Sequence, residues 1–151
     1  MNNNRIEDIY NFLKLSNSIA TSGQPNEEQF LAIKEAGYQV VVNLALPEST
    51  NALPDEQKVV EAQGMQYVHI PVVWDKPTIE DLARFLSVME ANADNNIFVH
   101  CAANMRVSAF MYLYHRIHGM SDKDAKKSLY QIWEPNEVWQ KFIEQVIANY
   151  Q

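Results

Sequence analysis

The feature that most constrains the fold is a repeated alternation between short apolar runs and longer segments of helical periodicity. Residues 40–44 (Val-Val-Val-Asn-Leu) form a β-branched run of the kind found in strands covered on both faces. Residues 66–70 and 96–100 form two further runs, and residues 19–21 form a shorter one. Segments with helical spacing separate them. The chain is therefore expected to be an α/β fold with a mainly parallel sheet of four to five strands and helices on both faces.

Helix boundaries are predicted from caps and breakers. Thr78 is expected to be an N-cap with Asp81 as its capping-box partner, and Ser121 is expected to cap a later helix. Pro54 and Pro135 are expected to open helices. The predicted helices cover residues 6–15, 26–36, 54–63, 79–89, 106–118, 122–132 and 135–146.

Length and composition indicate one domain over residues 1–151. With 47% hydrophobic residues and 151 residues in all, the chain is long enough to bury a core. The net charge of −7 argues against a nucleic-acid or acidic-membrane surface, although a local pocket can still be positive. We expect a monomer or weak dimer with no nucleic-acid or membrane partner.

Cysteine content and the N-terminus favour a cytoplasmic location. A single cysteine permits no internal disulfide and suits a reducing compartment. No apolar run approaches the length of a membrane span, and the first residues, Met-Asn-Asn-Asn, lack the apolar segment of a secretory signal. His115 and His118 lack a partnered carboxylate or Cys at ligand spacing, so no metal site is expected.

The segment that carries chemistry follows the last predicted strand. Cys101 comes directly after that strand, and Arg106 opens the next predicted helix. At this edge of an α/β sheet, backbone N–H groups at the start of a helix favour an anion, and Arg106 would clamp an oxyanion through two parallel hydrogen bonds. By itself, a helix N-terminus stabilises a thiolate by about 0.3–1 kcal/mol, which is too little to lower the thiol pKa far enough for ionisation at pH 7. Loop N–H groups and Arg106 are therefore needed to activate Cys101 as a nucleophile.

A plainer interpretation treats Cys101 as a small buried apolar residue and Arg106 as a surface residue. Their combination between a strand and a helix favours the functional interpretation. Ser108 is expected to donate a hydrogen bond to the thiolate or to assist its departure in a second step.

Residues 98–108 resemble the signature loop of the protein tyrosine and dual-specificity phosphatases, which begins with His-Cys and ends with Arg followed by Ser or Thr. Residues 22–25 (Ser-Gly-Gln-Pro) and 67–72 resemble further parts of the atypical dual-specificity enzymes, and the similarity extends from about residue 22 to residue 147. The chain resembles in particular a small bacterial phosphatase family related to domains found beside β-lactamase-like hydrolases. This resemblance implies a cysteine-phosphatase fold, no cofactor, and a phosphorylated small molecule or phosphoprotein as partner. It also implies a substrate-binding loop made of Ala102, Ala103, Asn104, Met105, Arg106 and Ser108, oriented by hydrogen bonds of His100. The equal alternative for His100 is a core histidine whose hydrogen bonds are merely satisfied.

The loop departs from the phosphatase pattern in length and composition. Four residues separate Cys101 from Arg106, where phosphatases have five, and the usual glycine is absent. Val107 directly follows the arginine, which displaces the hydroxyl residue to Ser108. Asn104 is the expected substitute for the glycine, since Asn tolerates the left-handed region. A four-residue gap is instead the loop length of rhodanese-type sulfurtransferases.

Asp75 is the candidate general acid. It lies 26 positions before Cys101 (101 − 75) on the loop after the third strand, where the resemblance places the family's catalytic Asp. The alternative is a solvated turn residue before Pro77. Glu48 is a weaker candidate, and Glu80 and Asp81 are more simply first-turn acids of a helix. Three functions stay open at this point: a phosphocysteine phosphatase, a sulfurtransferase that carries a persulfide on Cys101, and a non-catalytic anion-binding module.

Overall fold

The computed structural model describes residues 5–150 and confirms the predicted α/β architecture. The sheet order is β1-β2-β5-β3-β4. All neighbouring strands are parallel except β1, which pairs antiparallel with β2 at one edge. The strands are β1 (Leu13–Lys14), β2 (Ile19–Ser22), β3 (Val40–Asn43), β4 (Gln66–His69) and β5 (Ile97–His100).

Side-chain caps fix where most helices begin, as predicted for Thr78 and Ser121. The side chains of Asn26, Thr78, Ser121 and Asn136 each accept a hydrogen bond from a backbone N–H one turn later. Asn26 and Gln29 form a full capping box. The helices are α1 (Glu27–Glu35), α2 (Glu56–Ala62), α3 (Ile79–Ala91), α4 (Met105–Ile117), α5 (Asp122–Ile132) and α6 (Glu137–Asn149). Within residues 5–150, none of these helices is both long and apolar enough to cross a membrane.

Helices cover both faces of the sheet, which explains the uninterrupted apolar strands. Val40 and Val42 point into a core formed with α3, α4, α5 and α6, whereas Val41 points into a second core with α1 and α2. Phe98 of β5 lies in the second core, and Val99 lies in the first. Because side chains alternate along a strand, a strand buried on both faces needs an apolar residue at each position.

The predicted helix over residues 6–15 is wrong. The chain instead makes a short 3-10 helix at Ile6–Asp8 and then enters β1. Asn11 has a φ of 51°, a left-handed conformation that interrupts an α-helix. Ile9 and Phe12 still pack against the second core, so the apolar spacing reports burial correctly but not helical structure. Antiparallel pairing of β1 with β2 decides the outcome.

Candidate active site

Cys101 lies at the centre of the carboxyl edge of the sheet. β5 is flanked by β2 and β3, and the signature loop (residues 101–104) leaves β5 directly after His100. The Cys101 N–H faces the carbonyl of Ser22 at 3.4 Å, and the Cys101 side chain is 1% exposed. The predicted nucleophile is therefore held between two strand ends at the start of α4.

The signature loop has the left-handed residue that its sequence predicts. Asn104 has a φ of 66° and is fully buried, so it adopts the conformation for which phosphatase loops commonly use glycine. Asn104 occupies the N-cap position of α4, yet its side chain makes no cap hydrogen bond. Its amide instead donates to the carbonyl of Asn11 at 2.9 Å and to Oγ1 of Thr21 at 3.0 Å.

Arg106 is a buried guanidinium without a carboxylate partner among residues 5–150. It is 6% exposed, and its Nη1 donates to the Val72 carbonyl at 2.9 Å. Its guanidinium carbon lies 6.0 Å from the ring centroid of Trp74. A guanidinium has five N–H donors and stays charged, and burying such a charge unpaired is costly. Among residues 5–150, no acidic side chain offsets the charge of Arg106.

The loop that carries Asp75 is fixed against Arg106 by its neighbours. The Trp74 carbonyl accepts a hydrogen bond from Nε1 of Trp139 at 2.8 Å, and the Trp74 and Trp133 rings pack with centroids 5.2 Å apart. Asp75 is exposed at the tip of a turn closed by the bond from the Lys76 N–H to the Val73 carbonyl. The loop thus lies beside Arg106 as the sequence predicts, while the acid role of Asp75 stays a prediction.

Ser108 differs from its expected arrangement. Its hydroxyl donates to the Met105 carbonyl at 2.9 Å and accepts from Nε1 of Trp133 at 3.1 Å. A hydroxyl has one proton, so in this arrangement it has none left to donate to a thiolate. Among the described residues, the Ser108 hydroxyl thus bonds to Met105 and Trp133 and makes no hydrogen bond to Cys101. Its predicted role would require the hydroxyl to rotate.

His100 is held by a buried carboxylate that sequence reasoning missed. Its Nε2 lies 2.7 Å from Oε2 of Glu56, and its Nδ1 lies 3.2 Å from the Cys101 carbonyl. Both ring nitrogens face acceptor oxygens, so the ring makes both bonds only when doubly protonated. This contact with the Cys101 backbone agrees with the predicted loop-orienting role of His100.

Glu56 is kept ionised by its surroundings. Burial by itself would raise the pKa of Glu56, but the charge of His100 and hydrogen bonds from His100, Gln24 and Tyr67 outweigh burial, so the pKa lies below its ordinary value. Burial and the charge of Glu56 raise the pKa of Tyr67 in turn. From the sequence, Glu56 is an ordinary first-turn acid of α2, and no local signal marks its contact with His100.

Other features of the described residues do not compete with this site. A groove of about 680 Å³ at the end of α4, between α5 and α6, is lined by no residue of the signature loop. Residues 5–150 contain no group of three or more His, Cys, Asp or Glu side chains that could hold a metal ion. Neither Cys101 nor Arg106 lines that groove.

Comparison with known proteins assigns the family. The sequence model of the family described as a DSP-PTPase phosphatase fused to NAD⁺ kinase matches residues 3–144. The chain belongs to this family. The site described above is thus that of a phosphatase-family domain of the dual-specificity and tyrosine-phosphatase type.

Individual relatives of this PTP-NADK family domain agree on the fold. A DUF442 protein from Shewanella putrefaciens CN-32, which its name places provisionally among the phosphatases, is 35% identical with a TM-score of 0.85 over 96% of each chain. The catalytic domain of the PP-IP phosphatase Siw14 from S. cerevisiae is 17% identical with a TM-score of 0.75, over 90% of this chain and 85% of that one, and it shares the fold. A β-lactamase hydrolase-like protein from Xylella fastidiosa is 26% identical over 118 residues, which are 76% of this chain. The match spans only 27% of that relative's length.

Proposed function

We propose that the protein is a cysteine-dependent phosphatase that hydrolyses a phosphate monoester through a phosphocysteine intermediate. The observation that carries this proposal is the buried Arg106, which has no carboxylate partner among residues 5–150 and is the second residue of α4, five positions after Cys101. A tetrahedral dianion would supply the missing countercharge and would accept hydrogen bonds from the remaining N–H groups of the guanidinium.

The first chemical step transfers the phosphoryl group to sulfur. The Cys101 thiolate attacks phosphorus, an S–P bond forms, and the bond from phosphorus to the leaving oxygen breaks. Arg106 and the N–H groups at the start of α4 hold the equatorial oxygens, where negative charge resides in the transition state. Asp75 donates its proton to the leaving oxygen, so the product departs as a neutral alcohol or phenol.

The second step regenerates the thiolate. Asp75, now a carboxylate, accepts a proton from a water molecule that attacks phosphorus. The S–P bond breaks, and inorganic phosphate leaves. The Glu56–His100 pair holds the Cys101 carbonyl throughout and thereby fixes the start of the loop.

The test is phosphate release from p-nitrophenyl phosphate by the wild-type chain and by Cys101→Ser. We expect turnover by the wild type and none by the variant, which keeps the shape of the site but lacks a thiolate nucleophile. Because the chain has a single cysteine, iodoacetamide labels only this position, and phosphate should slow the labelling. Turnover that persists in Cys101→Ser would rule out the covalent route.

One observation favours a second candidate, a sulfurtransferase. Only four residues separate Cys101 from Arg106, which is the loop length of the rhodanese type. In this reaction the thiolate would attack the outer sulfur of thiosulfate, sulfite would leave with the electron pair of the broken S–S bond, and the persulfide sulfur would pass to cyanide. Thiocyanate formation without release from the aryl phosphate would favour this candidate. Phosphate binding with neither turnover would indicate an anion-binding module.

A further inference from the structure

The signature loop is joined to the N-terminal segment by a reciprocal pair of hydrogen bonds. The Asn11 side-chain amide donates to the Ala103 carbonyl at 3.0 Å, and the Asn104 side-chain amide donates to the Asn11 carbonyl at 2.9 Å. Both asparagines have left-handed backbones, with φ of 51° and 66°. We call these two bonds the Asn11–Asn104 clasp. It joins residues 93 positions apart in the chain.

The clasp controls what the Asn104 side chain does at the start of α4. An Asn at the N-cap position ordinarily accepts a hydrogen bond from an N–H group of the first helical turn. Here the side chain makes no such bond: its NH₂ group donates to Asn11 and Thr21, and its Oδ1 is buried without a hydrogen-bond partner among the described residues. The N–H groups of the first turn consequently stay unclaimed by Asn104, and they are the groups that an oxyanion in the loop would use.

A second segment, residues 23–24, also bonds to the loop and to the N-terminal segment. The Gln24 N–H donates to the Ala102 carbonyl at 3.0 Å, and the Gly23 N–H donates to the Tyr10 carbonyl at 2.7 Å. The loop is thus bonded to Asn11 and to Gln24, and the Gly23–Tyr10 bond joins these two neighbouring segments to each other. A loop with one residue fewer than phosphatases have, and without their glycine, depends on such external bonds to keep its shape.

We propose that Asn11 is a positioning residue that holds the shortened signature loop in its anion-binding shape through the clasp with Ala103 and Asn104. The proposal rests on the proposed function insofar as the loop binds the substrate oxyanion. Asn11 touches neither the nucleophile nor Arg106 and acts only through the loop backbone.

The deciding variant is Asn11→Asp, which keeps the side-chain size and the tolerance of a left-handed backbone. It replaces the donating NH₂ group with a carboxylate oxygen, so that two acceptor oxygens, this one and the Ala103 carbonyl, face each other. Asn51→Asp is the matched control, because Asn51 is also left-handed at φ 64° and is exposed. Among residues 5–150, the Asn51 side chain has no hydrogen-bond partner. Asn11→Gly is the second variant if Asn11→Asp fails to fold, since it keeps the backbone and loses only the side-chain bond.

The readouts are kcat/KM on p-nitrophenyl phosphate, inhibition by inorganic phosphate, and amide hydrogen exchange of residues 102–105. For Asn11→Asp we expect about a tenfold fall in kcat/KM and a similar rise in the phosphate inhibition constant, of the order expected for one lost hydrogen bond. Exchange at residues 102–105 should speed up at temperatures well below unfolding. The Asn51→Asp control should match the wild type in all three.

The outcomes separate this inference from the proposed function. A wild-type chain that releases no phosphate and binds none contradicts the proposed function, and the exchange measurement then still tests the clasp. Wild-type exchange rates in both Asn11 variants, or an active Asn11→Asp with unchanged phosphate inhibition, would overturn the inference. A fall in melting temperature alone, with unchanged kinetics and exchange, would show Asn11 to be merely structural.

Discussion

Replacing Arg106 tests whether its buried charge exists for an anion or for the fold. In Arg106→Lys, an ammonium group replaces the planar fork and cannot make two parallel hydrogen bonds to one oxyanion. Loss of one charge-assisted bond costs about 1.5–3 kcal/mol, which corresponds to roughly 10- to 150-fold weaker phosphate inhibition. Arg106→Met removes the charge altogether and should abolish phosphate binding.

The free energy of unfolding of Arg106→Met should not fall together with its phosphate binding. Arg106→Met loses the bond to the Val72 carbonyl and the contact with Trp74, together worth about 2–4 kcal/mol. It also removes the desolvation penalty of a guanidinium that is 6% exposed and has no carboxylate partner in the described part of the chain, a penalty of several kcal/mol. We therefore expect the free energy of unfolding to stay within about 1 kcal/mol of the wild type or to rise.

The assay pairs urea unfolding with phosphate inhibition of aryl phosphate hydrolysis. Addition of phosphate should also raise the stability of the wild type, in proportion to the logarithm of its concentration, and should leave that of Arg106→Met unchanged. Arg84→Lys is the control for replacing an arginine, since the Arg84 side chain is 59% exposed and its Nη1 lies 4.0 Å from Oδ1 of Asp81. The reasoning is refuted if Arg106→Met unfolds with a loss above about 3 kcal/mol while phosphate inhibition survives in Arg106→Lys at the wild-type level.

Three further outcomes are expected. The pKa of Glu56 is lowered from an ordinary value of 4.5, so the contribution of its ionised carboxylate to stability is complete above that pH and is lost as pH falls through the folded-state pKa. On acidification, Glu56→Gln should therefore lose less unfolding free energy than the wild type. Parallel profiles of unfolding free energy against pH would contradict this. In Gly23→Ala, the added Cβ would lie 2.7 Å from the Ala102 carbonyl oxygen. Thermal unfolding should therefore show a loss of about 1–3 kcal/mol in the free energy of unfolding. An unchanged unfolding midpoint would mean that the loop shifts to accommodate the methyl group without cost. Asp75→Asn should lower kcat by about 10²- to 10⁴-fold, most strongly for alkyl phosphates, whose leaving oxygens depend most on protonation. The exposed Asp94→Asn serves as its control, and equal rates in the two variants would exclude Asp75 as the acid.

The sequence predicts most elements because their determinants are local. The caps at Thr78 and Ser121, the apolar run of residues 40–44 and the left-handed Asn104 all follow from short-range preferences that the fold does not oppose. The N-terminal segment is the exception. Its apolar spacing suits a helix, but pairing with β2 supplies backbone hydrogen bonds that a helix there would forgo.

Parts of the candidate site escape sequence reasoning for a related reason. The bond from the Ser108 hydroxyl to the Met105 carbonyl is local to α4, but its bond with Trp133, 25 positions away, forms only when the end of α5 packs against α4. The local sequence around Glu56 is that of an ordinary surface acid, although the fold buries its side chain.

The amino-acid sequence by itself determined the order of βα units and the residue types at the sheet edge, Cys101 and Arg106 among them, because periodicity and capping act over a few neighbouring positions. Tertiary structure alone decided that Glu56 meets His100 across 44 positions and that Asn11 meets Asn104 across 93. Such contacts depend on how helices and strands pack against one another, and the energies that select them come from burial and from satisfying polar groups that local sequence does not bring together.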